Sequence, residues 1–361
     1  MDKETRELDG AILSFIAGHA DAGAAPDRAF EALALRIFDY QFGRNDNYRR
    51  FCAIEGKSPK SVRDWFEIPA MPSAGFKELV LATFPVASAV KKFRTSGTTR
   101  GEGARGVHFF DTLKLYEAAI PPPFEAHVLA GRTGLRFCFL VSAPAEAPDS
   151  SLSHMMGVVD RRFAGSKGRY YVKKGAPLYA RLDADLRKAR SPVLILATAF
   201  SLKGFLDHVA SKGPIRLPEG SRIMETGGFK GRANEVPKKT LYAECKRRLG
   251  VVPARCVSEY GMTELSSQYY APAGGLFRGP AWIRAVAVDP LTGRRAAKGR
   301  RGVLRHFDLA NRGSVLAVQT EDLGRERAGG FEFAGRAKGA ELRGCSLSYE
   351  EFLKGAARGR G

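Results

Sequence analysis

Lys92 to Gly103 reads Lys-Phe-Arg-Thr-Ser-Gly-Thr-Thr-Arg-Gly-Glu-Gly, a short run that gathers hydroxyls, glycines and cations. Glycine lets successive main-chain N–H groups turn toward one anion, Ser and Thr add neutral donors, and Arg or Lys adds charge. The run suits a phosphate, and an ordinary polar turn has the same composition. A second run, Val257-Ser258-Glu259-Tyr260-Gly261-Met262-Thr263-Glu264, sets an apolar strand directly before an aromatic, a hydroxyl and a carboxylate. Ligands of α/β sheets bind at such strand ends. There Tyr260 can stack on a base, Thr263 can hydrogen-bond a phosphoryl or carboxylate oxygen, and Glu264 can hold Mg²⁺. The bland alternative is a loop with a core tyrosine. A third run, Gln319-Thr320-Glu321-Asp322-Leu323-Gly324, follows another strand; its Asp322 can accept both hydroxyls of a ribose, and Gly335-Arg336 comes after it.

Other phosphate sites fail on context. Gly101-Glu102-Gly103-Ala104-Arg105-Gly106 fits the dinucleotide pattern, but that pattern must open a helix, and Val107-His108-Phe109-Phe110 reads as a strand. A Walker A loop and the kinase catalytic motifs are absent from the sequence.

The elements that would carry these residues divide the chain by texture. The first ninety residues read as helical, with Phe30, Leu33, Ala34, Ile37 and Phe38 at helical spacing after Pro26-Asp27. Strands are expected at Gly106 to Phe110, Leu135 to Val141, Pro192 to Ala199, Arg222 to Thr226 and Arg255 to Glu259. Helix-like stretches such as Leu178 to Ala189 and Glu235 to Leu249 separate them. That alternation predicts an α/β sheet with crossover helices. From Trp282 onward strands at Trp282 to Val288, Val303 to Phe307, Ser314 to Thr320 and Phe331 to Phe333 predict a β-rich subdomain, and the Gly- and Arg-rich ending reads as a basic tail. The expected organisation is a helical cap over 1–90, an α/β core over 91–280, a β-rich subdomain over 281–335, and a hinge with a short tail over 336–361.

Composition narrows the function classes. With 361 residues, 44% of them hydrophobic, the chain can bury a sizeable core. A formal net charge of +20 favours polyanionic partners. No helix-turn-helix or RNP-like motif accompanies the charge, so it reads as solvated surface and nucleic acid is not an expected partner. The five cysteines are odd in number and lack any CxxC pair, which supports neither a disulfide framework nor a zinc site. Cys138 lies in an apolar strand run and reads as a packing residue. The N-terminus lacks a cationic leader and the apolar run from Ala11 to Ala17 is too short to span a bilayer, so the expected location is cytoplasmic.

Taken in order, the phosphate loop, Y-G-x-T-E, T-x-D-x-G and G-R motifs resemble those of the adenylate-forming superfamily, which activates carboxylic acids with ATP as acyl adenylates and transfers the acyl group to a thiol. The resemblance runs from about Lys91 to Cys345. It implies that superfamily's large N-terminal α/β domain with a β-rich subdomain and a truncated C-terminal lid. It implies that Thr95, Ser96, Gly97, Thr98 and Thr99 form the phosphate loop and that Thr226, Gly227 and Gly228 line the adenine. Tyr260, Thr263 and Glu264 take adenine, phosphoryl and Mg²⁺ roles, Asp322 and Arg336 bind ribose, and Lys338 is the hinge residue. Arg100 stands where the superfamily usually has glycine, and Arg100 or Arg105 is expected to replace its later lysine as phosphate ligand. His154 falls near the position beside the acyl pocket, with a helix histidine as the plainer reading.

Within the superfamily the chain is most similar to the acyl-protein synthetases of the LuxE type, the fatty-acid-activating subunits associated with bacterial fatty acid reductase. The similarity rests on the length, on the Ile68-Pro69-Ala70-Met71-Pro72 to Phe76-Lys77 segment, and on the ending through Arg343-Gly344-Cys345-Ser346-Leu347. It implies a fatty or other apolar acid as substrate, ATP and Mg²⁺ as cofactors, Cys345 as acyl acceptor, and an acyl reductase or an acidic acyl carrier protein as partner. Two alternatives stay open: a ligase acting on coenzyme A or a carrier thiol, and a non-catalytic nucleotide-binding interaction protein.

Overall fold

Val193–Thr198 reads Val-Leu-Ile-Leu-Ala-Thr, an unbroken apolar run of the kind that forms a strand covered on both faces. In the computed structural model, which describes residues 1–20, 26–95, 105–227 and 236–337, it is the centre of a seven-stranded sheet. The strand order is Tyr269–Pro272, Cys256–Tyr260, Arg222–Thr226, Val193–Thr198, Arg136–Ser142, Arg169–Lys173, Ala176–Pro177. The inner pairings are parallel, while the two edge strands run antiparallel. On one face Cys138, Leu140, Ile195, Ala197, Ile223 and Cys256 pack against Leu202, Phe205 and Leu206 of helix Ala199–Lys212 and Leu241 and Cys245 of helix Lys238–Leu249. This sheet and its helices form one compact unit, Ile120–Met262 with Gln268–Phe277.

The other unit comprises Met1–Ala119, Thr263–Ser267 and the chain from Arg278 onward. Its three longest helices are Lys3–Gly18, Asp27–Arg44 and Asp46–Ile54; the side chains of Asp2 and Asn45 accept from the first-turn N–H groups of Thr5 (2.9 Å) and Tyr48 (3.1 Å). Phe30, Leu33, Ala34, Ile37 and Phe38 are buried, as their spacing predicts. The helical texture read across the first ninety residues is realised only as far as Ile54. Beyond it Pro59, Pro69, Pro72 and Pro85 remove donors and favour extended backbone, and the segment forms turns, the one-turn helix Gly75–Glu78 and the strand Met71–Pro72.

Met71–Pro72 pairs in parallel with Ala317–Arg327, extending a sheet that continues through Arg301–Asp308 to Ile283–Val288. Gly330–Arg336 pairs with the later half of Ala317–Arg327. Lys91–Arg94 and Val107–Phe110 form a separate antiparallel hairpin. Because Gly106 enters a strand, the dinucleotide alternative is excluded by the fold as well as by the sequence context. Among the described residues no helix is long and apolar enough to cross a membrane.

Candidate functional site

Thr95 closes the mouth of the hairpin. Its N–H donates to the Gly106 carbonyl (2.9 Å), and the Gly106 N–H donates to Thr95 Oγ1 (2.8 Å). A Cβ on Gly106 would stand 3.1 Å from Thr95 Cγ2 and 3.3 Å from the Phe76 backbone, so glycine keeps this closure tight. Ser96, Gly97, Thr98, Thr99 and Arg100 lie outside the described residues, while Arg105 is exposed beside Gly106.

Thr263 and Glu264 belong to the same unit as this hairpin. The Thr263 carbonyl accepts from His108 Nδ1 (2.8 Å) and the Glu264 carbonyl from Asn311 Nδ2 (2.9 Å). The Glu264 side chain is buried, and burial pushes its carboxyl up to about 7; the Lys77 and Arg336 charges pull the other way, and Asp322 adds to the rise. Asp322 is positioned by its N–H, which donates to Thr320 Oγ1 (3.0 Å), and Thr320 Oγ1 in turn donates to the Leu304 carbonyl (2.9 Å). Directly across the ladder from Asp322 sits Arg336, with its Nε 4.0 Å from Asp322 Oδ1 and Nη2 3.1 Å from Glu321 Oε2. Within one unit, the charges of Lys77, Arg336 and Asp322 therefore act on Glu264. Lys77, on Gly75–Glu78, was noted in the sequence only as part of a family-like segment; its exposed ammonium is the cation that sequence reasoning gave no role.

The sheet unit carries the second group. Thr226 and Glu259 are register partners at the ends of adjacent parallel strands, and Thr226 Oγ1 donates to Glu259 Oε2. Burial pushes the Glu259 carboxyl up to about 7, against the Thr226 hydrogen bond. Beside it Glu225 is wholly buried, its Oε1 accepting from Lys238 Nζ (2.8 Å) and Tyr242 Oη (2.7 Å); Lys238 Nζ also donates to Ser258 Oγ. Gly227 follows the strand at φ 71°, a left-handed turn that favours glycine. Tyr260 ends the neighbouring strand, half-buried between the rings of Tyr269 (6.0 Å) and Phe277 (5.7 Å). The buried carboxylate pair was missed in the sequence; two Glu residues inside apolar strand runs were the available signal. Gly228, Lys338 and Cys345 lie outside the described residues. His154 lies in helix Ser151–Val159, where its N–H donates to the Ser150 carbonyl (3.0 Å).

No protein-family model matches the chain. A long-chain-fatty-acid–luciferin-component ligase of Vibrio harveyi is 19% identical over 336 residues, covering 88% of this chain and 86% of that protein. Among solved structures, a 2-hydroxyisobutyryl-CoA ligase in the postadenylation state with 2-HIB-AMP superposes with a TM-score of 0.61 at 13% identity, covering 83% of this chain. A long-chain-fatty-acid-CoA ligase from Archaeoglobus fulgidus gives 0.50 at 14% identity over 71% of this chain. The match spans 63% of the length of the former and 53% of the latter. The chain has the fold of the large N-terminal domain of adenylate-forming enzymes, and along most of its length its sequence resembles an acyl-protein synthetase of the LuxE type.

Proposed function

We propose that the protein uses ATP and Mg²⁺ to activate a fatty or other apolar carboxylic acid as an acyl adenylate and passes the acyl group to the thiol of Cys345. The observation that carries this reading is the grouping of buried Glu264 with Asp322 and Arg336, residues that the ordered motifs tie to one nucleotide, with the Lys77 charge acting on Glu264. In the first step a carboxylate oxygen of the acid attacks the α-phosphorus of ATP and pyrophosphate leaves. In the second the Cys345 thiolate attacks the acyl carbonyl carbon and AMP leaves.

Glu264 suits a dication. Burial holds its proton to about 7, and a nearby double positive charge favours the carboxylate. Mg²⁺ is commonly bound through one or two carboxylates together with substrate phosphates and water. When bound, Mg²⁺ would neutralise charge on the phosphates. The resemblance would give the phosphoryl oxygens to Thr263 and the Thr95 to Thr99 run, the ribose to Asp322 and Arg336, and the base to Tyr260 with Thr226, Gly227 and Gly228.

Cys345 is favoured as acceptor by the state of the other thiols. Cys52, Cys138, Cys245 and Cys256 are all buried. Burial pushes Cys52 up to about 12 and raises Cys138, while the hydrogen bond with Cys256, together with burial, raises Cys245. Acid-dependent ATP–pyrophosphate exchange with a hydroxylamine-sensitive acyl-enzyme is the expected result, and Cys345→Ser should keep the exchange and lose the label. Full labelling of that variant would remove Cys345 from the mechanism.

A second reading, transfer to coenzyme A or an acidic carrier protein, is favoured by the net charge of +20. Thioester formation on an added carrier without self-acylation selects it. Nucleotide binding with no acid-dependent exchange would select a non-catalytic role.

A further inference from the structure

Thr263–Ser267 belongs to the unit of Met1–Ala119 although its neighbours in sequence on both sides belong to the sheet unit. The segment is neither helix nor strand, so no regular ladder holds its main chain. A set of buried side chains does so instead. His108 Nδ1 donates to the Thr263 carbonyl (2.8 Å); since a carbonyl only accepts, this fixes the tautomer, and burial, which pushes the imidazole down to about 4, keeps the ring neutral. Asn311 Nδ2 donates to the Glu264 carbonyl (2.9 Å) while its Oδ1 accepts from Ser266 Oγ (3.4 Å). Asp308 accepts from the Ser266 N–H (2.8 Å) and from Ser267 Oγ (2.7 Å).

The turn that supplies Asp308 and Asn311 is itself anchored from far away in sequence. Gln41 Nε2 donates to the carbonyls of Asn311 (2.9 Å) and Arg312 (3.1 Å), and its Oε1 accepts from the Leu316 N–H (2.8 Å). Arg312 pairs with Asp9 and Asp111 through both branches of its guanidinium. The cavity against this cluster, lined by His108, Asp111, Ser266, Asn311 and Arg312 among others, measures only about 10 Å³, room for roughly one water.

We propose that Asn311 is a positioning residue for Thr263 and Glu264, holding their main chain, with His108 and Asp308, so that both side chains meet the bound nucleotide in one fixed place. The role in catalysis rests on the function proposed above; the positioning itself does not. A misplacement of about 1 Å in such a site can cost on the order of a hundredfold in rate.

Asn311→Ala is compared with Ser314→Ala, a change in the same turn that removes the hydrogen bond to the Leu81 carbonyl (2.8 Å) and touches nothing in Thr263–Ser267. Two quantities are read: amide hydrogen exchange of peptides covering 260–268, and pyrophosphate exchange per titrated active site as a function of Mg²⁺ and acid. Asn311→Ala should speed amide exchange over 263–267 at least tenfold, lower kcat roughly 10- to 100-fold and raise the Mg²⁺ half-saturation, with KM for the acid unchanged. Ser314→Ala should do none of these beyond its effect on melting temperature. Unchanged amide exchange over 263–267 in Asn311→Ala, or losses in both variants that only track the folded fraction, overturns the proposal. A wild-type protein with no pyrophosphate exchange would remove the proposed function, and amide exchange, which needs no activity, would still decide the positioning.

Discussion

Glu264 carries the sharpest expectation at the scale of single residues. Its charge is disfavoured by burial in the free protein and favoured by a dication, so Glu264→Gln should remove the metal-holding charge without harming the fold. We expect acid-dependent pyrophosphate exchange to fall by about 10²- to 10³-fold with an unchanged or raised melting temperature. Exchange within twofold of wild type would take Glu264 out of the site. As proposed site residues, Glu264, Thr263, Asp322 and Arg336 were legible because each is a chemistry-bearing residue placed just after a strand or at a ladder end. His108 and Asn311 were not, because their partners are 155 and 47 residues away. A lone polar residue in Val-His-Phe-Phe, or an Asn in a turn, gives no local sign of what it will touch.

At the scale of elements, the strand runs at Arg136–Ser142 and Val193–Thr198 were legible to within a residue, since buried parallel strands write themselves as continuous apolar runs. Helix Ala199–Lys212 was hidden: Thr198 is both the last residue of a strand and the N-cap, accepting from the Ser201 N–H (3.1 Å), so no break in texture marks the change. Strand Arg169–Lys173 escaped because Lys and Arg bound its short apolar centre. The ends of Arg222–Thr226 and Cys256–Tyr260 also set a pH dependence. Glu259 is raised from 4.5 to about 7, so the folded protein keeps a proton that the unfolded chain has released. Stability contributed by the protonated form is present at low pH and falls as pH rises from about 4.5 to about 7. Glu259→Gln should therefore be more stable than wild type at pH 8, on the order of 2–3 kcal/mol, with the difference closing by pH 4. Urea unfolding at both pH values measures it, and an equal offset at the two would contradict the assignment.

For the whole molecule, burial of four of the cysteines predicts thiol accounting. In native buffer a bulky thiol reagent should titrate one group at most, that of Cys345, and all five cysteines after denaturation. More than one fast equivalent in the native protein would count against the burial. The fully buried Arg312 predicts global stability: burial works against its charge, and the carboxylates of Asp9 and Asp111 outweigh that effect. Arg312→Met leaves two largely buried carboxylates without their cation and should cost about 3–5 kcal/mol, measurable as a shift in the denaturant midpoint with an unchanged slope. The Asp9–Arg312 pair closes a separation of 303 residues. On a ribosome adding roughly 5–20 residues per second, helix Lys3–Gly18 emerges early and waits something like 15–60 s for its arginine. Through that interval Leu8, Ile12 and Ile16, buried in the finished protein, lack part of their final cover, so yield in the cell should respond to chaperone supply and translation speed even where the purified protein is stable.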